Sequence, residues 1–507
     1  MPEEEETIEK RFANSTSAHG FSRVAETSFI PRKLFWIALI LGGLGVSSWQ
    51  ITLRFQKFYR RETNSAVSLN YEAKLNFPAI TICNVNKYMA SQLTAVDHEL
   101  LNAANSIFEY DNYDYYNYDY TNVGSGEVPV VPGIEKSDSL DLIKPQDLDT
   151  LINNISTWYP GGFDYANFTR EKGWQLNEES ILLCEFKGVR CNISRVFTHQ
   201  FTSFGNCYTF NANDTRKRPL YQDQPGIGNG LMLVVNIQQS EYTETITRSG
   251  RIEAGIVFQV HPQYEPPLLS SKGTAVGPGF HAYAGLQELE TVNLEPPYGP
   301  CNSSQKLEYF ANYTLSGCII ECRLRHIKDK CGCKPVEYPG NLSTCDPQKM
   351  VECVKPVLKD IKGNFTDRCH CNVSCSSIKY GLTLSYGTFP NQNVESELAT
   401  KWGYGDTTFA KNNLAIIDVY FEELNYHKTE QNVAYEESAL ISDIGGQLGL
   451  FLGFSILTIL EFLEYLVLRL AAPCNSEIKT KKVAPDNKGH DMEVKNRNLE
   501  MTKVAYS

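Results

Sequence analysis

Two long apolar runs organise the chain. The first, "LFWIALILGGLGVSSWQITLRF", occupies residues 34–55. As a helix it spans about 33 Å, enough to cross a bilayer core of about 30 Å. It follows an acidic "EEEE" start and lacks a small-residue cleavage pattern, so it reads as a membrane span rather than a signal peptide. The second run covers 438–470 and contains "SDIGGQLGLFLGFSILTILEFLEY". There Gly445, Gly449 and Gly453 recur every fourth residue. Set on one helix they fall within an arc of about 80°, a stripe where another backbone can approach closely. Asp443 and Glu461 then lie five turns apart on a shared face, about 27 Å from each other, with Glu464 close behind. Carboxylates in such a span should face water or a partner helix. The pattern fits an aqueous path with an acid near each mouth, and it equally fits plain helix packing. One span cannot enclose a pore, so the first reading requires an oligomer.

Between the runs the pattern changes to period two. "YEAKLNFPAITICN" carries Pro78, which opposes helix, and then an alternating strand signal. "GLMLVVNI", "EAGIVFQV" and "NLAIIDVYF" are β-branched runs of strand length. "GIGNG" resembles a phosphate loop, but no lysine-bearing helix start follows, so it reads as a turn. Residues 108–122, "FEYDNYDYYNYDYTN", form a low-complexity run followed by a loop poor in apolar residues. The simpler reading is a solvated insertion. The sharper one is a docking surface for a cation, because phenol faces and carboxylates both attract guanidinium and amine groups.

Cysteine placement supplies the topology. Of fifteen cysteines, fourteen lie between the runs and only Cys474 lies outside them. A dense, even set implies an oxidising compartment and a disulfide framework. "CGC" and "CHC" are therefore read as bridge partners, and no metal site is expected. Spacing alone leaves the connectivity open. The same segment holds nine glycosylation sequons, at Asn154, Asn167, Asn192, Asn213, Asn302, Asn312, Asn341, Asn364 and Asn372. The loop is thus expected outside the plasma membrane with both termini cytosolic. Glu436 and Glu437 before the second run, against Arg469, Lys479, Lys481 and Lys482 after it, agree with that orientation. A net charge of −12 argues against nucleic acid as a partner. No G-x-S-x-G, H-E-x-x-H or other catalytic constellation is present, so neither an enzyme nor a cofactor is expected.

Several segments resemble the epithelial sodium channel/degenerin superfamily, which includes the acid-sensing channels. They are "LISDIGGQLGLFLGFSILTILEFLEY", "FPAITICNVNKY", "GNCYTFN", "GIGNGL", "EPP" ahead of "GPGF", and "FEELNY". The likeness covers most of 15–470 and leaves out the Tyr/Asp-rich run and the tail. It implies an α+β membrane protein, a trimer, with two transmembrane helices flanking a large disulfide-rich extracellular domain. The implied organisation is a cytosolic 1–33, a first span 34–55, an extracellular 56–437, a second span 438–470 and a cytosolic tail 471–507. The extracellular part would hold a finger at about 84–205, a cysteine-rich thumb at about 301–380 and a palm β-sheet between them.

The resemblance also implies roles for residues. Gly453, Phe454 and Ser455 match the G/S-x-S constriction of a sodium-selective, amiloride-blocked pore, with Phe454 larger than the residue common in the acid-sensing branch. Asp443, Glu461 and Glu464 would flank that pore, and Gly445 and Gly449 would pack its helices. His19 and Gly20 match a cytosolic gating dipeptide, and Ala439 a position where bulk holds the gate open. The implied bridges are Cys83–Cys207, Cys184–Cys191, Cys301–Cys375, Cys318–Cys371, Cys322–Cys369, Cys331–Cys353 and Cys333–Cys345.

For the stimulus, the likeness offers two readings. Proton gating is weakened by Tyr264 beside Glu265, by Asn341 and Gln348 where acids would be expected, and by the lack of histidine in "FYRRETN". An FMRFamide-like neuropeptide, cationic and aromatic, suits Tyr110, Asp111, Tyr113, Asp114, Tyr115, Tyr116, Tyr118, Asp119 and Tyr120. The expectation is a peptide-gated sodium channel, with a proton-gated channel or a bitopic adhesion or scaffold protein as alternatives.

Overall fold

The computed structural model describes residues 8–108, 145–212, 219–243, 253–363, 365–402 and 406–476. The Tyr/Asp-rich residues from Tyr110 to Tyr120 lie outside them, as do Asn213 and Asn364. Helices α1 (Ile8–Ser15), α2 (Phe21–Glu26) and α3 (Ile30–Tyr59) open the chain. Strands β1 (Thr63–Tyr71) and β2 (Ala79–Asn84) precede helices α4 (Ala95–Phe108) and α5 (Pro145–Trp158). There follow β3 (Ile181–Phe186), β4 (Val189–Arg190), β5 (Phe197–Thr202), β6 (Gly205–Phe210), β7 (Leu231–Asn236), β8 (Ile256–His261), β9 (Thr274–Val276) and β10 (Phe280–Val292). Helices α6 (Leu315–Cys331) and α7 (Lys355–Gly363) lead to β11 (Ser376–Thr388) and β12 (Leu414–Val433). Helices α8 (Glu437–Leu452) and α9 (Ile456–Ser476) close the described chain. Two compact units result, one of 63–433 and one joining 1–62 to 434–507.

In the first unit the larger sheet runs β11-β10-β12-β7-β3-β4, with β1 pairing along the second half of β12. The smaller runs β9-β8-β2-β6-β5. Alternate residues of the central strands, Leu231, Leu233 and Val235, Ala282, Ala284 and Leu286, Ile417, Val419 and Phe421, are buried together. That is the period of a strand with one face on the core. Ile80, Ile82, Ile256, Phe258 and Phe210 of the smaller sheet join the same cluster.

A second core forms among the helices, where Leu100 and Leu101 of α4 meet Leu151 and Ile155 of α5, Leu324 and Ile327 of α6, and Val357 and Ile361 of α7. Helix α6 starts because Thr314 accepts the Gly317 N–H at 3.0 Å, and it stops at Gly332, whose φ of 68° is left-handed. The cysteines pair as Cys83–Cys207, Cys184–Cys191, Cys301–Cys375, Cys318–Cys371, Cys322–Cys369, Cys331–Cys353 and Cys333–Cys345. Cys318 and Cys322 lie one turn apart on α6, so their two bridges stack along one helix face.

The second unit corrects the expected second span. Residues 438–470 do not form one helix: α8 and α9 meet at a 72° bend around 453–455. Asp443 and Glu461 therefore do not share a single helical face five turns long. Among the described residues, helix α3 alone is long and apolar enough to cross a membrane unaided, and α8 with α9 meets that test as a bent pair. Helix α3 is also longer than its apolar run, at thirty residues.

Candidate functional site: the broken span and its N-terminal strap

The break has local causes. Gly453 adopts φ 70°, ψ 21°, a left-handed conformation that closes α8. Its N–H donates to Gly449 O at 3.0 Å and the Phe454 N–H donates to Leu448 O at 3.3 Å. A new helix starts at once because Ser455 caps it. The Ser455 N–H donates to Thr458 Oγ1 at 3.0 Å, and the Thr458 N–H donates back to Ser455 Oγ at 3.3 Å. This reciprocal pair is a capping box with threonine in the usual Glu position.

The segment Thr16–Gly20 straps this break. The His19 N–H donates to Leu452 O at 2.8 Å, satisfying one carbonyl left over at the end of α8. Glu461 Oε2 accepts from Thr16 Oγ1 at 2.8 Å, from the Ser17 N–H at 2.8 Å and from Ser17 Oγ at 3.2 Å. Ser17 Oγ and Thr458 Oγ1 lie 2.6 Å apart. Fit at the crossing is tight: a Cβ on Gly453 would stand 2.5 Å from the His19 ring. Gly20, itself at φ 87°, lets the strap turn into α2, and a Cβ there would stand 3.2 Å from Ile40. Phe462 collects Phe12 at 5.0 Å and Phe454 at 5.7 Å between ring centroids.

The other end of α8 is held separately. Asp443 Oδ2 accepts from the Tyr435 hydroxyl at 2.7 Å and pairs with Arg54 Nε of α3 at 3.3 Å. The Lys57 ammonium lies 5.0 Å over the Tyr435 ring. Asp443 thus has a cation from α3 beside it, and Glu461 is occupied by the strap. Ala439 is half-buried and Glu464 exposed. Within the protomer, a different glycine brings two helices together. Close approach of α3 to α8 rests on Gly43, where a Cβ would lie 3.2 Å from Phe451 O. Gly445 has nothing within 4 Å and Gly449 meets only Phe454 O, at 3.6 Å, so neither packs a helix within the protomer.

The structure brings His19, Gly20, Gly453, Phe454, Ser455 and Glu461 into one site, and places Asp443 and Ala439 elsewhere on α8. Sequence reasoning missed Thr16, Ser17 and Thr458 at the break, and Arg54 and Tyr435 beside Asp443. The S-x-x-T spacing after a glycine was a readable signal for Thr458. Outside the membrane unit, Glu265 accepts from Ser316 Oγ at 2.7 Å and pairs with Lys272 at 2.8 Å, while Gln348 donates to Glu352 at 3.1 Å.

Comparison with known proteins decides the family. The model described as amiloride-sensitive sodium channel matches residues 12–465, from α1 through the break to α9. The chain belongs to that family. Among its relatives, the human bile acid-sensitive ion channel is 33% identical over 476 residues, covering 92% of this chain and 86% of the relative. Acid-sensing ion channel 1 of Gallus gallus is 32% identical, covering 90% and 82%. Human acid-sensing ion channel 2 is 32% identical, covering 90% and 85%. Members of the family are plasma-membrane ion channels rather than enzymes, and membership implies sodium permeation and oligomeric assembly. The scaffold alternative falls with that result.

Proposed function

We propose that this chain is the pore-forming subunit of a trimeric, amiloride-blocked, sodium-selective channel, with both termini cytosolic, opened by an extracellular FMRFamide-like peptide. One observation supports the pore: non-helical backbone at 453–455 inside an otherwise apolar span. Unwound backbone is tolerated at membrane depth only inside protein or along a water-filled path. Three copies of α8 around an axis would turn the open Gly445–Gly449 stripe inward and ring the path with carbonyl and Ser455 hydroxyl oxygens. Such oxygens replace part of the hydration shell of Na⁺. The negative end of the α8 dipole adds attraction for a cation. The strap on Leu452 and Glu461 fixes the break from the cytosolic side.

Peptide opening is supported by the sequence of Tyr110–Tyr120 and by a net charge of −12, which favours a cationic, aromatic ligand. Such a ligand acts by binding the open arrangement more tightly than the closed one. A second reading, opening by protons, is favoured by Glu288 on β10. Burial, aided by the nearby Glu290 charge, pushes its carboxyl up to about 7, so it titrates near neutral pH. Acid-sensing and bile acid-sensitive relatives give that reading, and a bile acid arm, comparable standing. The test is voltage clamp of cells expressing this chain alone, challenged with amidated peptides, a pH step and a bile acid. Amiloride-sensitive sodium current at micromolar peptide is the expected result. Current on acidification or bile acid with silence to every peptide replaces the agonist, and no sodium current under any arm sinks the pore.

A further inference from the structure

Three rungs join α3 to α8. At one end Arg54 pairs with Asp443 at 3.3 Å, and at the other Phe451 O lies 3.2 Å from where a Cβ on Gly43 would stand. The two helices are therefore antiparallel. Asp443, Gln447 and Phe451 recur every fourth residue on one face of α8, and Gly43, Ser47 and Arg54 share one face of α3. Ser47 lies about 6 Å along α3 from Gly43, and Gln447 about 6 Å along α8 from Phe451, so both stand at one level of the seam. Ser47 is the one buried residue of the thirty in α3, at 1% exposure. Among the described residues, neither Ser47 Oγ nor Gln447 Oε1 has a hydrogen-bond partner, and both atoms are enclosed.

A hydroxyl and an amide oxygen enclosed between two apolar helices cost free energy while unbonded, and a bond between them recovers it. We propose that Ser47 and Gln447 are positioning residues that set the rotation of α8. The hydrogen bond from Ser47 Oγ to Gln447 Oε1 is open in the arrangement described and made in a second arrangement of the same two helices. Helices at such interfaces shift by about 1–2 Å between states. Gln447 lies about 160° around α8 from both Gly445 and Gly449, so closing the rung on one face turns the glycine stripe on the other. The bond acts on the balance between arrangements because it belongs to one of them alone. This inference rests on α3 and α8 lying side by side in a membrane, and on no assumption about ion selectivity or agonist.

The test uses the full-length protein in lipid nanodiscs, with Cys474→Ser removing the one cysteine outside the two apolar runs. Leu450→Cys then carries a trifluoromethyl tag on α8, at a position 75% exposed in the protomer. Fluorine NMR should show two resonances, one for each arrangement. Ser47→Ala and Gln447→Met should each move their ratio about three- to tenfold in the same direction, the range of interhelical hydrogen bonds in membranes. The double variant should move it no further than either single one, because each alone removes the same bond. A role in packing alone gives additive shifts instead. Both substitutions stay close to the original shape, and either one carries the test should the other misfold. Additive shifts, a ratio that no variant moves, or a single resonance throughout would overturn the proposal. Because no current is measured, its failure is separable from failure of the channel reading.

Discussion

At the scale of single residues, Gly453 carries the most consequence. Its left-handed φ costs an L-residue roughly 1–2 kcal/mol, and any Cβ also collides with the His19 ring. Gly453→Ala should therefore shift the break and the strap together. The expected outcome is a channel that reaches the surface but discriminates less between Na⁺ and K⁺, read as a reversal-potential shift. His19→Ala in the same chain should recover part of the selectivity; unchanged selectivity in Gly453→Ala would remove the strap from any role at the pore. The glycine itself was legible, because the G-x-S pattern carries it. Its conformation and partner were not, since a helical wheel treats glycine as an absent side chain rather than as a stop. Asp443 meets a partner helix, as the sequence implied, but the identity of Arg54 was not legible, because no periodicity within the second run reveals it.

Among elements, the broken span and the bridged helix α6 respond to different tests. Continuous hydropathy across 442–465 hides the bend, and the only local signs are Gly453 and the Ser455–Thr458 cap. Gly445 has open space around it in the protomer, so Gly445→Leu should leave glycosylation and surface delivery near wild type. If three copies pack there, the same change should lower the trimer fraction by severalfold on cross-linking; an unaltered fraction would place the axis elsewhere. On α6, removing the Cys322–Cys369 bridge by paired serine substitution opens a loop with a sequence separation of 47. Unfolding should then need less by about 2–4 kcal/mol, read as a lower melting temperature in detergent. A melt unchanged under non-reducing conditions would show that the neighbouring Cys318–Cys371 bridge alone holds the helix. That the cysteines form disulfides followed from their confinement between two apolar runs; which cysteine meets which came only through family likeness, because spacing permits many pairings.

For the whole molecule, strand signals such as "AITIC", "GLMLVVNI" and "EAGIVFQV" were legible as β2, β7 and β8 because their burial is local and continuous. The extension of β12 through the polar "EELNYHKTEQNV" was not, because that half is a strand by virtue of pairing with β1 and β10. These sheets also bury groups that set the response of stability to pH. His261 is fully enclosed, and burial lowers its pKa to about 4. Thr81 Oγ1 lies 2.8 Å from its Nε2 and Pro262 O lies 2.9 Å from its Nδ1. A depressed histidine stabilises the fold above its unfolded pKa of about 6.5, and that contribution is lost as pH falls toward 4. Glu288, raised to about 7 by burial and the Glu290 charge, and Asp418, raised to about 6 by burial, act in the opposite sense. Their contribution is complete below the unfolded carboxylate pKa of about 4 and is lost as pH rises through 6–7. Between pH 7.5 and 5 the histidine loses about 2 kcal/mol while the two carboxyls together gain about 4, so the wild-type melting temperature should rise modestly on acidification. Glu288→Gln should remove that rise, because the histidine and Asp418 contributions then nearly balance. His261→Gln should do the reverse and make the rise between pH 7.5 and 5 steeper than in the wild type. Should both variants keep the wild-type profile, these burials do not persist in the assembled channel, and Glu288 is not the group through which protons would act.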